Sequence, residues 1–416
     1  MSRAHDGGTG LGSTGRAHAV QPLTDPADRR AAWDLFLATV HQPPSTEDAW
    51  QAHGQSADEH WLGVRTADGE LAGSAYSFPT RLTLPGGARV DAAAVSGVGV
   101  RADHTRAGRL SALMRAQLAA ARERGDVVTV LRASEAVIYG RYGYGVASRG
   151  DQVRVTARAQ WRPEAPAGGT VRMLGIPEAL KVLPDLQARL AAGRPGGLTR
   201  TDRWWRRSID PAGPSAGEYR AVAVHTGPGG DDGFAVWGTA AGEGGRDEIR
   251  VHQLWAGTRG ATAGLWRFLT GVDLTEAVVC GARPLDEDLD LMLADPRAVR
   301  LTGRYDDLWL RIVDVARALG ARAWGPGEPV VLRLHDPLFE DTGTWRIGPD
   351  GAAPAGDALP DLETGLESLA PAFLGDRAPS ALAAAGRWTE HTAGAAARAD
   401  ALFAVPGPAP WGGTFF

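Results

Sequence analysis

Three tyrosines stand close together in the chain, at Tyr139, Tyr142 and Tyr144. A tyrosine hydroxyl has an ordinary pKa of about 10, so at neutral pH it holds a proton that it can give to a departing thiolate as a general acid. The surrounding stretch, Ile138 to Gly145, reads IYGRYGYG, and its glycines indicate a turn. The residues alone leave open which tyrosine would act and which would only pack.

A basic loop precedes this turn along the chain and could hold a phosphate group. It runs from Arg101 to Gly108, reads RADHTRAG, and lies between a predicted strand and a predicted helix. Such a loop presents unpaired backbone N–H groups and the positive end of the helix dipole. Gly108 would let a phosphate approach the main chain, Arg106 would add a positive charge, and Arg101 or Arg109 could add others.

We interpret this loop as a pyrophosphate site. The alternative is that its basic residues are only the solvated entrance of a helix. The loop is neither a Walker loop nor a Rossmann fingerprint, because Gly108 stands alone there without the glycines and lysine of those motifs.

The elements on either side of the loop must position it. After Gly108, apolar residues recur at the spacing of one buried helical face: Leu110, Leu113, Met114, Leu118 and Ala121. Gly125 stands where such a helix would end. The apolar run Val127 to Leu131 predicts a short central strand. Strand, loop, helix and strand together form a crossover unit.

Two helices and four strands are predicted before the loop. Asp25 is the candidate N-cap of the first helix, with Pro26 at its first position, and Ser45 to Ala52 predicts a second helix with Trp50 facing inward. The predicted strands are Trp61 to Val64, Leu71 to Phe78, Thr80 to Leu84 and Ala88 to Val100.

A similar alternation follows a Pro/Gly-rich candidate linker at residues 161–169. The predicted helices cover residues 176–192, 203–207, 262–270, 313–319, 366–374, 379–385 and 393–403. The predicted strands cover residues 221–224, 233–239, 248–255, 275–280, 309–312, 330–334 and 343–347. The loop Ala256 to Gly260 occupies the place of the first basic loop but is less basic.

The composition limits the class of protein. The 416 residues carry a formal net charge of -5, which argues against a general nucleic-acid or anionic-membrane binder, since both need a basic surface. The single cysteine, Cys280, excludes an internal disulfide and lies in an apolar run, so we interpret it as an inert buried thiol. No signal peptide or spanning segment is evident. We expect a disordered tail at residues 1–17 and a soluble, cytoplasmic protein.

Several segments of the chain resemble one known family. Residues 98–114, VGVRADHTRAGRLSALM, resemble the acetyl-CoA pyrophosphate motif of GNAT acyltransferases. Residues 131–148, LRASEAVIYGRYGYGVAS, resemble a more specific signature, that of the enhanced intracellular survival (Eis) family of aminoglycoside acetyltransferases. Residues 194–208, residues 304–315 and the phenylalanine-ending tail are similar to the same family, so the match covers nearly all of the chain after about residue 25.

The resemblance implies an α/β protein with two GNAT-like domains and a C-terminal sterol-carrier-protein-like α+β domain. The expected order is a tail at 1–17, a first GNAT domain with the acetyl-CoA site at 18–160, a second without a cofactor site at 161–305, and the sterol-carrier-like domain at 306–416. It also implies a homo-hexamer built as a trimer of dimers.

The resemblance also implies roles for individual residues. Tyr139 would be the general acid, and the α-carboxylate of Phe416, the last residue of the sequence, would be the general base. The backbone N–H of Val98 would bind the thioester carbonyl. The expected acetyl-CoA contacts are Val98, Val100, Arg106, Gly108, Arg109 and Ser134, and the expected substrate contacts are Ser96, Trp50 and Phe415. No metal is expected.

The sequence departs from the family pattern at four places. The proline of the pyrophosphate motif is Ala102, its arginine falls on Thr105, the family's acidic penultimate residue is Phe415, and the acidic residue of the first helical region is replaced near Val40 to Gln42. The first two changes would displace or remove a charge on the pyrophosphate, and the third removes a negative charge beside a polycationic substrate.

Two functions remain open at this point. The first is an acetyl-CoA-dependent N-acetyltransferase acting on a polyamine-like amine, either an aminoglycoside or a lysine side chain. The second is a non-catalytic protein that binds an apolar ligand or an acyl-CoA and carries a vestigial GNAT site. Gly108, Tyr139 and the terminal Phe416 favour the enzyme.

Overall fold

The structure is a computed structural model, and it describes residues 18–53, 58–209, 219–242, 245–336, 338–339 and 341–416. The tail predicted at residues 1–17 lies outside the described residues. The helices are α1 (Pro26–Thr39), α2 (Glu47–His53), α3 (Arg109–Arg124), α4 (Ala136–Tyr139), α5 (Ile176–Ala192), α6 (Asp202–Ile209), α7 (Arg259–Thr270), α8 (Leu289–Met292), α9 (Val315–Ala321), α10 (Leu366–Leu374), α11 (Pro379–Ala384) and α12 (Ala395–Phe403).

The strands are β1 (Val20–Pro22), β2 (His60–Arg65), β3 (Leu71–Thr83), β4 (Arg89–Val100), β5 (Val128–Leu131), β6 (Gly145–Thr156), β7 (Thr170–Leu174), β8 (Ala221–Gly227), β9 (Gly230–Ala241), β10 (Asp247–Ala256), β11 (Thr275–Arg283), β12 (Val299–Ile312), β13 (Val330–Asp336), β14 (Asp341–Gly348), β15 (Gly351–Pro354), β16 (Leu362–Gly365) and β17 (Trp388–Glu390).

The chain forms two compact units. The smaller unit comprises residues 18–44, 60–76 and 97–117 of the described chain, and the larger unit comprises the rest. Strands β3 and β4 and helix α3 each begin in one unit and end in the other. Among the described residues, no helix combines the length and the apolar composition needed to cross a membrane.

In the smaller unit, α1 begins as predicted. The Asp25 side chain accepts a hydrogen bond from the Ala27 N–H at 2.7 Å and Pro26 follows it at the first helical position, so the cap fixes the start of the helix. The Ser74 hydroxyl of β3 donates to the Ala32 carbonyl at 3.1 Å and ties α1 to that strand. A small apolar core holds β2, β3 and the first half of α3 together, through Val64, Ala72, Ala75 and Leu113.

In the larger unit, one sheet runs from β4 through β5, β12, β6, β11, β10, β9 and β8 to β7. Strand β5 pairs with β4 in parallel and with β12 antiparallel, and its Val128 and Val130 are fully buried. The central position predicted for this strand is therefore confirmed. Strands β12 and β6 pair over most of their length.

The end of the chain forms a second sheet in the order β15, β14, β13, β16, β17. One hydrophobic core joins this sheet and α10 to the first sheet, because Leu332 and Phe373 belong to the same buried cluster as Val130 and Leu310. Almost every residue of α10 is buried in that core. Its sequence is therefore a continuous apolar run, and its bounds were predicted correctly.

Two sequence expectations need correction. The strands predicted at Leu71 to Phe78 and Thr80 to Leu84 form one strand, β3, because Pro79 is exposed and its fixed φ is compatible with an extended chain. The strand predicted at residues 309–312 is only the end of β12, because the polar residues before it pair with β6 through their backbone although they lack an apolar pattern.

Candidate active site

The end of β4, in the smaller unit, has the shape expected of a cofactor-binding strand. Strand β4 pairs with β5 as far as Val95 and Leu131. Two residues later Gly97 has a φ of 58°, a left-handed conformation that bends the strand, and a Cβ there would lie 2.6 Å from the Tyr76 ring. Only glycine fits this bend. Val98 and Val100 follow it and are half-buried.

The basic loop after β4 has fewer free charges than its sequence suggests. The Arg101 guanidinium donates to Glu70 at 2.7 Å and to Asp103 at 2.8 Å, and these hydrogen bonds raise its pKa. Thr105 donates to the Ala102 carbonyl at 3.0 Å, so its hydroxyl closes the loop on itself. Arg101 is therefore committed to two carboxylates and does not serve as the additional phosphate partner that the sequence allowed.

The remaining part of the loop fits a phosphate. Gly108 has a φ of 83°, and a Cβ built there would meet only the His18 ring, at 3.9 Å. Arg106 is exposed, and Arg109 donates to the His104 carbonyl at 3.2 Å. These residues stand at the start of the 16-residue helix α3, whose first turn carries N–H groups without partners inside the helix. Open main chain, an exposed guanidinium and a helix dipole are what a pyrophosphate requires.

Tyr139, in the larger unit, ends the short helix α4 and keeps 8% of its surface exposed. Its ring contacts Tyr144 at 6.1 Å and Trp309 at 6.5 Å between centroids. Burial raises the pKa of Tyr139 to about 12, with smaller contributions from Tyr142 and Glu135. Because its environment disfavours the phenolate, Tyr139 keeps its proton at any physiological pH.

The other two tyrosines of the turn are more deeply buried. Tyr144 is fully buried, its hydroxyl accepts a hydrogen bond from Thr129 at 2.8 Å, and burial raises its pKa. Tyr142 keeps 3% of its surface exposed. Both have the burial expected of packing residues, and Tyr139 is the one of the three with the greatest access to solvent.

The last residues of the chain are held by the larger unit and are not frayed. We call residues 409–416 the C-terminal segment. The Ala409 N–H donates to Asp286 at 2.9 Å and its carbonyl accepts from Arg194 at 2.7 Å. Trp411 is buried, with its indole N–H donating to the Ala282 carbonyl at 2.5 Å and its ring 4.5 Å from that of Trp255.

A buried carboxylate holds the next residue of the segment. Asp307 of β12 accepts from the Gly412 N–H at 2.6 Å, from Arg132 at 2.5 Å and from the Ser148 hydroxyl at 2.8 Å. Arg132, which directly follows β5, also donates to the Thr414 carbonyl at 2.7 Å. The same stretch of β12 carries Trp309, the partner of the Tyr139 ring, so the segment and Tyr139 are attached to neighbouring residues of one strand.

A second arginine holds the same residues from another side. Arg200 donates to the Gly413 carbonyl at 2.9 Å, to the Thr414 hydroxyl at 3.0 Å and to Gln253 at 2.6 Å. Its guanidinium lies over the rings of Trp204, Trp205 and Trp255, at 3.8, 4.9 and 5.5 Å from their centroids. Burial, and to a lesser degree the charge of Arg132, lowers the pKa of Arg200 well below its usual value.

The two terminal phenylalanines have different surroundings. The Phe416 ring is partly buried and meets the Phe78 ring edge-on at 5.5 Å. Phe415 is 77% exposed, its carbonyl accepts from the Trp204 indole at 2.6 Å, and its ring lies 5.5 Å from the Arg132 guanidinium. The chain thus turns its last ring inward and presents the one before it to solvent.

The remaining predicted site residues belong to other elements of the fold. Trp50 is buried on α2, Ser96 is half-buried near the end of β4, and Ser134 is exposed between β5 and α4. Cys280 is buried as predicted, and burial raises its pKa to about 12. Within the described ranges, no group of three or more His, Cys, Asp or Glu side chains is placed to hold a metal ion.

Sequence reasoning missed the residues that hold the C-terminal segment. Arg132, Arg200 and Asp307 lie inside the three internal stretches that resemble the Eis family, at 131–148, 194–208 and 304–315. One signal was available for Asp307, because this charged residue directly precedes the apolar run of Leu308, Trp309 and Leu310, and the structure leaves it only 2% exposed. A charge at the edge of a buried strand demands a partner.

The comparisons with known proteins agree with this architecture. Residues 20–147 and residues 196–312 each match the family described as acetyltransferase (GNAT) domain, and residues 315–413 match the sterol carrier protein domain family. The N-acetyltransferase Eis of Mycobacterium tuberculosis is 33% identical over 354 residues, covering 82% of this chain and 84% of that protein. An N-acetyltransferase of Streptomyces griseus is 37% identical over 361 residues, covering 82% of this chain and 86% of that protein.

Solved structures give the same result. Eis1 from Mycobacterium abscessus superposes with a TM-score of 0.84 at 31% identity, covering 96% of this chain and all of that one. A GCN5-related N-acetyltransferase from Anabaena variabilis shares the fold with a TM-score of 0.80 at 18% identity, again over 96% of this chain and all of that one.

These findings confirm the predicted fold class, with two GNAT domains and a C-terminal sterol-carrier-like domain. They confirm that the protein is an acyltransferase and leave the non-catalytic alternative without support. The chain belongs to the Eis family of GNAT N-acetyltransferases.

Proposed function

We propose that the protein transfers an acetyl group from acetyl-CoA to an amine of a polyamine-like substrate, either an aminoglycoside or a lysine side chain. The Phe416 α-carboxylate acts as the general base, and the Tyr139 hydroxyl acts as the general acid. The observation that carries the proposal is the attachment of the C-terminal segment. The buried Asp307 and the partly buried Arg132 and Arg200 hold its backbone and so keep the last residue in a fixed place.

The residues proposed to hold acetyl-CoA are those whose surroundings fit it. Gly108 and the start of α3 bind the pyrophosphate with Arg106 and Arg109, and Ser134 lies after β5 to bind the thiol arm. Val98 and Val100 offer backbone groups of the bent end of β4. When bound, acetyl-CoA supplies an acyl thioester that an amine can attack.

The base must take a proton from the attacking amine, because only the neutral amine is a nucleophile. A terminal carboxylate is ionised at neutral pH, with an ordinary pKa of about 3.5, and burial raises its basicity. The partly buried Phe416 ring keeps the end of the chain against the hydrophobic core beside Phe78. The role therefore depends on the position of the last residue more than on its side-chain chemistry.

The acid must hold a proton until a thiolate forms. Tyr139 does so, since burial raises its pKa to about 12 and keeps the hydroxyl protonated. Against a thiol with an ordinary pKa of about 8.5, this phenol is the weaker acid, so its hydroxyl first donates a hydrogen bond to the developing thiolate. When its proton then passes to the sulfur, the phenolate takes another proton from solvent. The residual exposure of Tyr139 leaves room for such contact.

The residues that we assign to the amine substrate are those that the family resemblance implies. Phe415 stands exposed beside the last residue, and Trp50 and Ser96 complete the residues that we assign to the amine site. We also propose that the second GNAT domain binds no cofactor and that the protein assembles as a hexamer, a trimer of dimers, as the family resemblance implies.

The experiment is a thiol-release assay with acetyl-CoA and a panel of amines, namely kanamycin-type aminoglycosides, linear polyamines and lysine-containing peptides. We expect release that depends on at least one amine and saturates with its concentration. Measurable acetyl-CoA binding with no amine-dependent release anywhere in the panel would contradict the proposed function.

A further inference from the structure

The Asp307 carboxylate is the most completely enclosed charge around the C-terminal segment. Its side chain has no exposed surface, and it accepts hydrogen bonds from three donors on three different parts of the chain. Arg132 follows β5, Ser148 lies in β6, and Gly412 belongs to the C-terminal segment. Burying a carboxylate is unfavourable unless such donors compensate it, so the arrangement exists only while all three parts are in place.

Asp307 also pairs with Arg132, one of two cations that repel each other beside the C-terminal segment. Arg132 and Arg200 both bind carbonyls or hydroxyls of residues 413 and 414, and the charge of Arg132 disfavours that of Arg200. Among the ion pairs of the described residues, Asp307 is the carboxylate paired with Arg132. Without it, Arg132 would still bind the Thr414 carbonyl but would lose this carboxylate partner on β12.

The residues that hold the C-terminal segment fix different parts of it. Arg194, Asp286 and Ala282 hold residues 409 and 411, which is the base of the segment. The contact from Gly412 to Asp307 comes after Trp411 and before Phe416, so it sets the direction in which the last four residues leave the fold. The close approach is possible because residue 412 has no side chain, and a Cβ there would lie 3.1 Å from the Asp307 carboxylate.

We propose that Asp307 is a positioning residue for the acetyl transfer: through the Gly412 N–H and Arg132 it aims the C-terminal segment so that the last residue stays in place. The catalytic part of this inference rests on the proposed role of the Phe416 carboxylate. The structural part, that Asp307 holds the segment, does not depend on any activity.

The test is hydrogen–deuterium exchange of residues 411–416 in the full chain, comparing the unchanged protein with Asp307→Asn. An amide has one acceptor oxygen where the carboxylate has two, so its NH2 group must face one of the three donors. Losing a charge-assisted hydrogen bond of this kind corresponds to roughly a 10- to 100-fold faster exchange of the Gly412 amide. We expect kcat to fall at least tenfold, with the KM for acetyl-CoA changed less than twofold.

Two further variants make the result specific. Ser380→Ala is the matched control, because it removes a hydrogen bond between a serine hydroxyl and a carboxylate, that of Asp400, but touches neither Asp307 nor the C-terminal segment, so exchange of residues 411–416 and kcat should stay within about threefold of the unchanged protein. Gly412→Ala leaves the Arg132–Asp307 pair intact and crowds the carboxylate from the tail side, so it should repeat the exchange and kcat effects of Asp307→Asn even if that variant folds poorly.

The outcomes separate the two proposals. Faster exchange with lower kcat in Asp307→Asn and Gly412→Ala supports both. Faster exchange with unchanged kcat supports Asp307 as the residue that holds the segment and overturns its contribution to catalysis, whereas the role of the Phe416 carboxylate is tested separately by extending the chain. Unchanged exchange of residues 411–416 in both variants overturns the inference.

Discussion

Replacing Tyr139 by phenylalanine removes one hydroxyl from a ring that other contacts hold in place. The ring keeps its contacts with Tyr144 and Trp309, and among the described residues the hydroxyl has no hydrogen-bond partner to lose. The free energy of unfolding should therefore change by less than about 1 kcal/mol. Turnover should fall by roughly 10²- to 10⁴-fold, the usual contribution of a general acid.

The raised pKa of Tyr139 predicts how the contribution of its hydroxyl to turnover depends on pH. The hydroxyl must be protonated to act, and burial raises its pKa to about 12 in the folded protein. At pH 10 about 99% of the molecules then keep the proton, whereas an ordinary tyrosine would be about half ionised. The contribution of Tyr139 is thus fully present below pH 10 and is lost only as the pH rises through about 12.

The assay compares kcat/KM for acetyl-CoA between the unchanged protein and Tyr139→Phe from pH 7 to pH 10. The ratio of the two cancels the titration of the amine and of every other group that both proteins share. We expect a constant ratio. A ratio near one at pH 7, or a ratio that halves by pH 10, would refute the reasoning. Tyr144→Phe is the control, since it should cost stability through the lost Thr129 bond but leave turnover within a few-fold.

Three other predictions concern separate parts of the molecule. Gly108→Ala should raise the KM for acetyl-CoA severalfold with kcat unchanged, because the added Cβ stands where a phosphate must approach the main chain, and alanine at a φ of 83° also lowers the free energy of unfolding by about 1 kcal/mol. Phe415→Glu should lower the KM for polycationic amines by about fivefold relative to Phe415→Gln, since one added charge contributes about 1 kcal/mol in solvent. Cys280 should resist iodoacetamide in the folded protein, because it is 2% exposed and its pKa is about 12.

One result would contradict each of these three predictions. An unchanged KM in Gly108→Ala would remove the loop as the pyrophosphate site. Equal KM values in Phe415→Glu and Phe415→Gln would show that the exposed ring does not lie near the bound amine. Alkylation of Cys280 at the rate of the unfolded chain, followed by mass spectrometry, would contradict its burial.

Local patterns predicted the helices well and the sheet less well. Helix α5 has the predicted bounds, because its apolar face and its ends are both encoded locally. Strands β6 and β12 were missed in whole or in large part, although they pair with each other from Val299 and Val155 to Leu310 and Gly145. Both carry glycines and charges such as Asp151 and Arg304, and their strand conformation comes from pairing with each other across more than a hundred residues.

The residues of the candidate site show the same difference between local patterns and long-range contacts. Gly108 and Tyr139 lie in short motifs, so residue type and resemblance were enough to propose them. Arg132 and Asp307 could not be assigned, because Arg132 meets Thr414 across 282 residues of sequence and Asp307 meets Gly412 across 105. Contacts of this kind form only when distant parts of the chain meet in the folded protein, and no local sequence pattern predicts them.

The most direct measurement of the terminal-carboxylate mechanism is the turnover of a chain extended by two glycines beyond Phe416. The extension keeps every side chain and every anchoring contact but converts the Phe416 carboxylate into a peptide carbonyl, which cannot take a proton from an amine. With an amine that the unchanged protein acetylates, we predict that kcat falls by at least 100-fold while acetyl-CoA binding, measured by calorimetry, is retained. An extended protein with undiminished kcat would contradict the claim that the end of the chain is the base.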